Sequence, residues 1–136
     1  MAPTLDRVMR EEPGALIVPV PLHGRRQRER GYNQSLLLAE AAAGRWATAI
    51  TPTAVRRIRP TSQQVGLSDV ERVANVAGAF SADVGPVAGR PIVLIDDVLT
   101  TGSTVAACAT VLQDAGAAAV AVVTVTRAAW NDRTWA

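Results

Sequence analysis

The 136-residue chain is 49% hydrophobic, and its fourteen arginines, without a single lysine, oppose 12 acids for a net charge of +2. No apolar run approaches the ~18–20 residues that a membrane span needs, and residues 1–13 are too mixed and charged for a secretory signal. The single cysteine, Cys108, excludes an internal disulfide or a cysteine-rich zinc site, so a cytoplasmic address is expected.

Along the chain, residues 15–20 (A-L-I-V-P-V) form a short apolar run closed by prolines, which predicts a buried strand. A basic loop follows, holding Arg25, Arg26, Arg28 and Arg30, and a second cluster comprises Arg56, Arg57 and Arg59. For any one of these arginines a solvated face and a phosphate contact are equally good readings. Asn33 is placed to cap a helix from Gln34 to about Trp46, whose leucines and alanines predict a mostly buried element. Residues 54–58 make a weaker strand candidate. Residues 59–70, rich in Pro, Ser, Thr, Gln and Gly, read as a loop.

Ser68 and Glu71 have capping-box spacing, which predicts a short helix to about residue 76. Residues 78–82 suggest a minor strand, and Gly85, Pro86 and Gly89 a turn. Residues 91–95 are an apolar strand. After Ser103, the apolar positions Val105, Cys108, Ala109, Leu112 and Ala115 keep helical spacing, and Gly116 is placed to end that helix. Residues 118–126 form a fully apolar last strand. Strand, helix and strand make one βαβ unit, hence parallel and right-handed. With no repeat, low-complexity tract or boundary, residues 1–136 read as one domain.

The densest information lies in residues 93–104, V-L-I-D-D-V-L-T-T-G-S-T. A buried strand runs into two carboxylates, then into hydroxyls around one glycine, then into an apolar helix. In Thr100, Thr101, Gly102, Ser103 and Thr104, the glycine lets consecutive N–H groups converge on one anion, and the helix start adds partial positive charge. Asp96 and Asp97 repel phosphate. Their chemistry suits accepting hydrogen bonds from vicinal ribose hydroxyls or holding magnesium through water. The alternative, an acidic strand end that merely caps the next helix, leaves T-T-G-S-T unexplained. Rival phosphate motifs are excluded: a Walker A loop needs lysine, and no G-x-G-x-x-G or H-E-x-x-H occurs.

The signature resembles that of the type I phosphoribosyltransferases. The likeness extends to Pro19-Val20-Pro21-Leu22-His23, Arg26 and Arg30-Gly31-Tyr32-Asn33-Gln34, and to Arg56-Arg57, Thr61, Gln64, Leu67-Ser68, Glu71-Arg72, Asn75 and Gly78-Ala79-Phe80. These are similar to two further blocks of the ComF-type family, named for a bacterial DNA-uptake (competence) protein, over residues 15–127.

The resemblance implies a three-layer α/β fold, a mostly parallel twisted sheet of about four or five strands with helices on both faces and residues 91–95 central. It implies phosphoribosyl pyrophosphate or a nucleotide as ligand and Mg2+ as cofactor, near Asp96 and Asp97. Pro21, Leu22, His23 and Arg26 correspond to the pyrophosphate loop. Residues 59–75 correspond to a loop that closes over substrate, bringing Arg57, Gln64 or Arg72 toward the phosphates. The implied reaction displaces pyrophosphate from the anomeric carbon by a nitrogen nucleophile. Asp96, Asp97 and Arg57 are its candidate catalytic residues, and Arg26 or Arg30 could add positive charge at the leaving group.

Two other roles compete with the enzyme: a ligand-binding module that has lost catalysis, and a DNA-uptake accessory protein touching single-stranded DNA or a competence ATPase. One Tyr and one Phe leave few stacking platforms for single strands. A homodimer is a further implied partner. Many family members carry an N-terminal cysteine-rich zinc module, which this chain is expected to lack, and no segment matches the hood that selects the nucleophile in type I enzymes.

Overall fold

The computed structural model describes residues 1–22, 29, 31–59, 68, 70–71, 78–99 and 102–127. In chain order its elements are α1 (Ala2–Glu11), β1 (Leu16–Pro19), α2 (Gln34–Ala43), a 3-10 helix (Gly44–Ala49), β2 (Val55–Arg57), β3 (Phe80–Ala82), α3 (Val84–Val87), β4 (Pro91–Leu99), α4 (Ser103–Asp114) and β5 (Ala119–Arg127).

β4 is apolar on both faces for four residues, and Ile92, Val93, Leu94 and Ile95 are each at most 1% exposed. A strand without a polar side is stable only between two covered faces, and β4 accordingly lies in the middle of a parallel sheet ordered β1-β4-β5. Side chains alternate between the faces with period two. Ile92 and Leu94 join Leu16 and Val18 against Val105, Cys108 and Leu112 of α4. Val93 and Ile95 join Ile17 against Leu5 and Met9 of α1 and Ala39 and Ala43 of α2. Each fully buried aliphatic side chain of this kind contributes roughly 1.5–3 kcal/mol. The α/β class, the parallel sheet flanked by helices and the central place of residues 91–95 match the sequence reading.

The strand count differs from it. The parallel sheet has three strands among the described residues, extended at its β1 edge only by a single bridge between Ile17 and Ile50. β2 and β3 form a separate antiparallel ribbon packed on α4. The Val55-Arg56-Arg57 strand has an exposed Arg56, and a strand so charged does not fit inside a sheet covered on both faces. β4 also runs past residue 95 to Leu99, because β5 supplies ladder partners as far as the Leu99–Arg127 pair.

Asn33 caps α2 as its sequence suggested, its Oδ1 accepting from Ser35 N at 3.0 Å and Leu36 N at 3.5 Å. The helix is less buried than expected. Successive leucines at 36, 37 and 38 fan across about 200° of a helix, so Leu37 is 46% exposed, while Ser35, Ala39 and Ala43 point inward. Gly44, at φ +53°, ends the α-helix before Trp46, and the chain continues as the 3-10 helix. α4 ends as predicted: Gly116 has φ +95°, and Gly116 N and Ala117 N donate back to Gln113 O and Leu112 O, each at 3.0 Å. The apolar last strand is a sheet edge, with Val123 buried but Val125 50% exposed.

Two helices went unread in the sequence. Where a turn was expected at Gly85–Gly89, the one-turn α3 forms; Asp83 accepts from Gly85 N at 3.1 Å, and Pro86 sits in the first turn, where its missing N–H costs nothing. At the N-terminus, charge masked the amphipathic α1, whose Leu5 and Met9 are buried one turn apart. Asp6 fastens α1 to the start of the 3-10 helix: it accepts from Trp46 Nε1 at 2.9 Å and Arg10 Nε at 2.9 Å and pairs with Arg45 at 3.0 Å. These contacts, the Trp46 bond foremost, hold its carboxyl below the usual range. No helix among the described residues is long and apolar enough to cross a membrane.

Candidate functional site

The helix after β1 and the helix after β4 pack on opposite faces of the sheet. From β1 the chain leads through α2 to the Ile50 bridge on one side, and from β4 through α4 to β5 on the other. The carboxyl ends of β1 and β4 are therefore the point where the winding reverses, and open α/β sheets form their ligand crevice at such a point.

Three segments meet there. Val20 N, just beyond β1, donates to Ile95 O at 2.9 Å. Asn33 Nδ2 donates to Val20 O at 3.2 Å, tying the start of α2 to the same place. Ser35 Oγ donates to Asp96 Oδ1 at 3.2 Å, and the same oxygen accepts from Asp97 N at 2.9 Å. Pro21 and Leu22, half-buried, follow Val20 directly.

On the α4 side, Gly102 is the N-cap with φ +79° and ψ +4°, the left-handed conformation that the sequence reading required of a glycine. Ala106 N donates to Gly102 O at 2.8 Å as the first bond of the helix. Ser103 follows at 7% exposed and Ser35 stands at 5%; they are the buried polar residues among those described, one in the first turn of each helix that starts near this point. Thr104 is half-buried.

The electrostatics single out Asp96. Burial pushes its carboxyl up to about 6; the bond from Asp97 N opposes that rise, the adjacent Asp97 charge adds to it, and Ser35 opposes it again. Two neighbouring carboxylates, one of them strained by burial, form a place where a cation or a hydroxyl donor relieves an existing cost. No group of three or more metal-ligating side chains occurs among the described residues. A magnesium ion fits the pair only with water and ligand oxygens completing its shell, which is the usual habit of that ion.

Several expected participants lie outside the described residues: His23, Arg26, Arg30, Gln64, Arg72, Thr100 and Thr101, together with nearly all of the closing loop. Within that loop the cap at Ser68 is present. Ser68 N donates to Glu71 Oε2 at 2.6 Å and Glu71 N to Ser68 Oγ at 3.2 Å, and these bonds lower the Glu71 pKa. Arg57 is on β2, its guanidinium over the Phe80 ring at 4.8 Å. It reaches Cys108 electrostatically, as Asp96 does, although burial dominates there and pushes the thiol up to about 12. Cys108 is thus an inert core residue.

Sequence reasoning missed Ser35. Its signal was its place two residues after the Asn33 cap, directly after the block that carried the family likeness.

No protein-family model matches the chain. It is 48% identical over 107 residues to the DNA utilization protein YhgH of Escherichia coli K12, covering 78% of this chain and 46% of that protein. It is 43% identical over 91 residues to competence protein F of Haemophilus influenzae, covering 65% and 39%. It is 34% identical over 105 residues to competence protein ComFC of Bacillus subtilis, covering 76% and 40%. The chain spans less than half the length of these relatives. Their names support the ComF-type resemblance read from the three sequence blocks.

Proposed function

We propose that this chain is the ligand-binding part of a ComF-type protein acting in DNA uptake and utilization. In this reading the β1–β4 crevice takes a phosphorylated ribose, phosphoribosyl pyrophosphate or a nucleotide, with magnesium. The role in DNA handling rests on the names of the relatives. The ligand class rests chiefly on one observation: Asp96 and the left-handed Gly102 cap both follow the β1–β4 ladder at the point where the winding of the sheet reverses. Gly102 and the first turn of α4 offer N–H groups to phosphate, and Asp96 and Asp97 offer acceptors to sugar hydroxyls. Magnesium, when bound, would neutralise phosphate charge beside the acids. The fold is then of the phosphoribosyltransferase type, and transfer of the ribosyl group to a nitrogen nucleophile is the finer reading.

Calorimetry of the full chain with phosphoribosyl pyrophosphate and magnesium tests the ligand. Saturable one-site binding that weakens without magnesium is expected; no heat at millimolar ligand would sink the proposal. Pyrophosphate release against a panel of bases then separates a transferase from a binding module. A fluorescent single-stranded oligonucleotide, titrated at two salt concentrations, reports direct DNA contact.

A further inference from the structure

We infer that Ser35 is a positioning residue for sugar recognition, holding the Asp96 carboxylate in the orientation that accepts the ribose hydroxyls. The inference rests on the ligand class proposed above. Ser35 comes from a different block of the sequence than the acids, 61 residues before Asp96. It is 5% exposed, and its hydroxyl donates to Asp96 Oδ1. A buried hydroxyl is costly unless it is bonded, and on this helix face Ala39 and Ala43 fill the two following inward positions. An alanine at 35 would complete the apolar stripe, so packing alone does not call for a serine.

The geometry around the serine is fixed from both sides. Asn33 Oδ1 accepts from Ser35 N at 3.0 Å, and Asn33 Nδ2 donates to Val20 O at 3.2 Å, which ties the first turn of α2 to the end of β1. With Ser35 Oγ and Asp97 N both on Oδ1, the carboxylate plane is held by two donors from different elements. A carboxylate held in one rotamer loses less freedom when a diol binds. Ser35 does not touch the phosphate cradle by this argument, and its effect should be confined to the sugar.

That confinement provides the test. Binding of ribose 5-phosphate and of inorganic phosphate is measured by NMR titration for the unmodified protein, Ser35→Ala and Ser35→Thr, after thermal melts confirm folding. A hydrogen bond to a charged group is worth about 1.5–3 kcal/mol, so Ser35→Ala should weaken ribose 5-phosphate by about tenfold or more. Inorganic phosphate should change by less than about twofold, and Ser35→Thr, which keeps the donor, should restore most of the loss. If Ser35→Ala does not fold, Ser35→Cys, a weak donor of similar size, takes its place with the same expectation. Unchanged ribose 5-phosphate affinity, or an equal loss for both ligands, overturns the role of Ser35 and leaves the site standing. An unmodified protein that binds neither ligand, or does not prefer the sugar phosphate, overturns the ligand reading and this inference with it.

Discussion

Asp96→Asn is expected to stabilise the fold above pH 6 while weakening the binding of a phosphorylated sugar. The carboxyl is raised from 3.8 to about 6 in the folded chain. Below pH 3.8 it is protonated whether the chain is folded or not, and the substitution gains nothing. Between about pH 4 and 6 the unfolded chain has lost the proton and the folded chain keeps it, so stability falls as pH rises. Above pH 6 the whole cost is present, about 3 kcal/mol from a shift of that size. An uncharged amide avoids that cost, and its oxygen can still accept from Ser35. A gain of about 1–3 kcal/mol at pH 8, shrinking toward zero near pH 4, is therefore expected in chemical denaturation. For ligand, the amide lacks the charge that attracts magnesium, and it offers one acceptor where the carboxylate offers two; affinity should fall at least about tenfold. A pH-independent stability difference would show that Asp96 is not strained by burial, and undiminished affinity would remove it from the site.

Gly102→Val should have the largest effect on binding. At φ +79° this residue occupies a region that costs an L-residue roughly 1–2 kcal/mol, and a β-branched one more. The chain can respond in two ways: it can keep the turn and lose about 2 kcal/mol or more of stability, or it can rotate out of it and misalign the first N–H groups of α4. Rotation out of the turn removes the anion cradle, and with the turn kept the valine side chain crowds the approach of the phosphate; phosphoribosyl pyrophosphate affinity should drop by a factor on the order of 100, equivalent to ~2.7 kcal/mol. Gly102→Ala, without the β-branch, should fall between the parent and the valine variant. A folded Gly102→Val protein that binds like the parent would mean that the loop is not where the phosphate sits.

The parts that were legible in the sequence are those with strong local chemistry. Asn33 and Ser68 have side chains that satisfy backbone donors in only one geometry; Gly102 and Gly116 stand where the backbone needs a positive φ. Residues 92–95 have no polar face to expose. Where sequence reasoning failed, the deciding contacts were distant. The charges of α1 are explained only once Trp46 and Arg45, some forty positions later, are seen around Asp6. Three consecutive leucines in α2 do not reveal which of them faces the sheet. Separating β2 and β3 from the parallel sheet depends on how they pack over α4, which strand propensity does not encode. For the site, the acids and the glycine were readable as a motif, whereas Ser35 gains a role only when folding brings it to Asp96.

The β2–β3 ribbon also bears on how much length the chain can tolerate. Ile58 N donates to Ala79 O at 2.7 Å, and Arg57 stands opposite Phe80, so the two ends that flank residues 59–78 are held side by side. An excursion with clamped ends changes closure entropy only logarithmically, and doubling its length costs about 0.6 kcal/mol. On closure entropy alone, added length between these ends is therefore expected to cost the β1–β4–β5 ladder little. Insertion there of a flexible stretch should leave the melting temperature nearly unchanged. The paired strand ends beside α4 are thus a place where the length of the chain and the stability of the ladder are only weakly coupled.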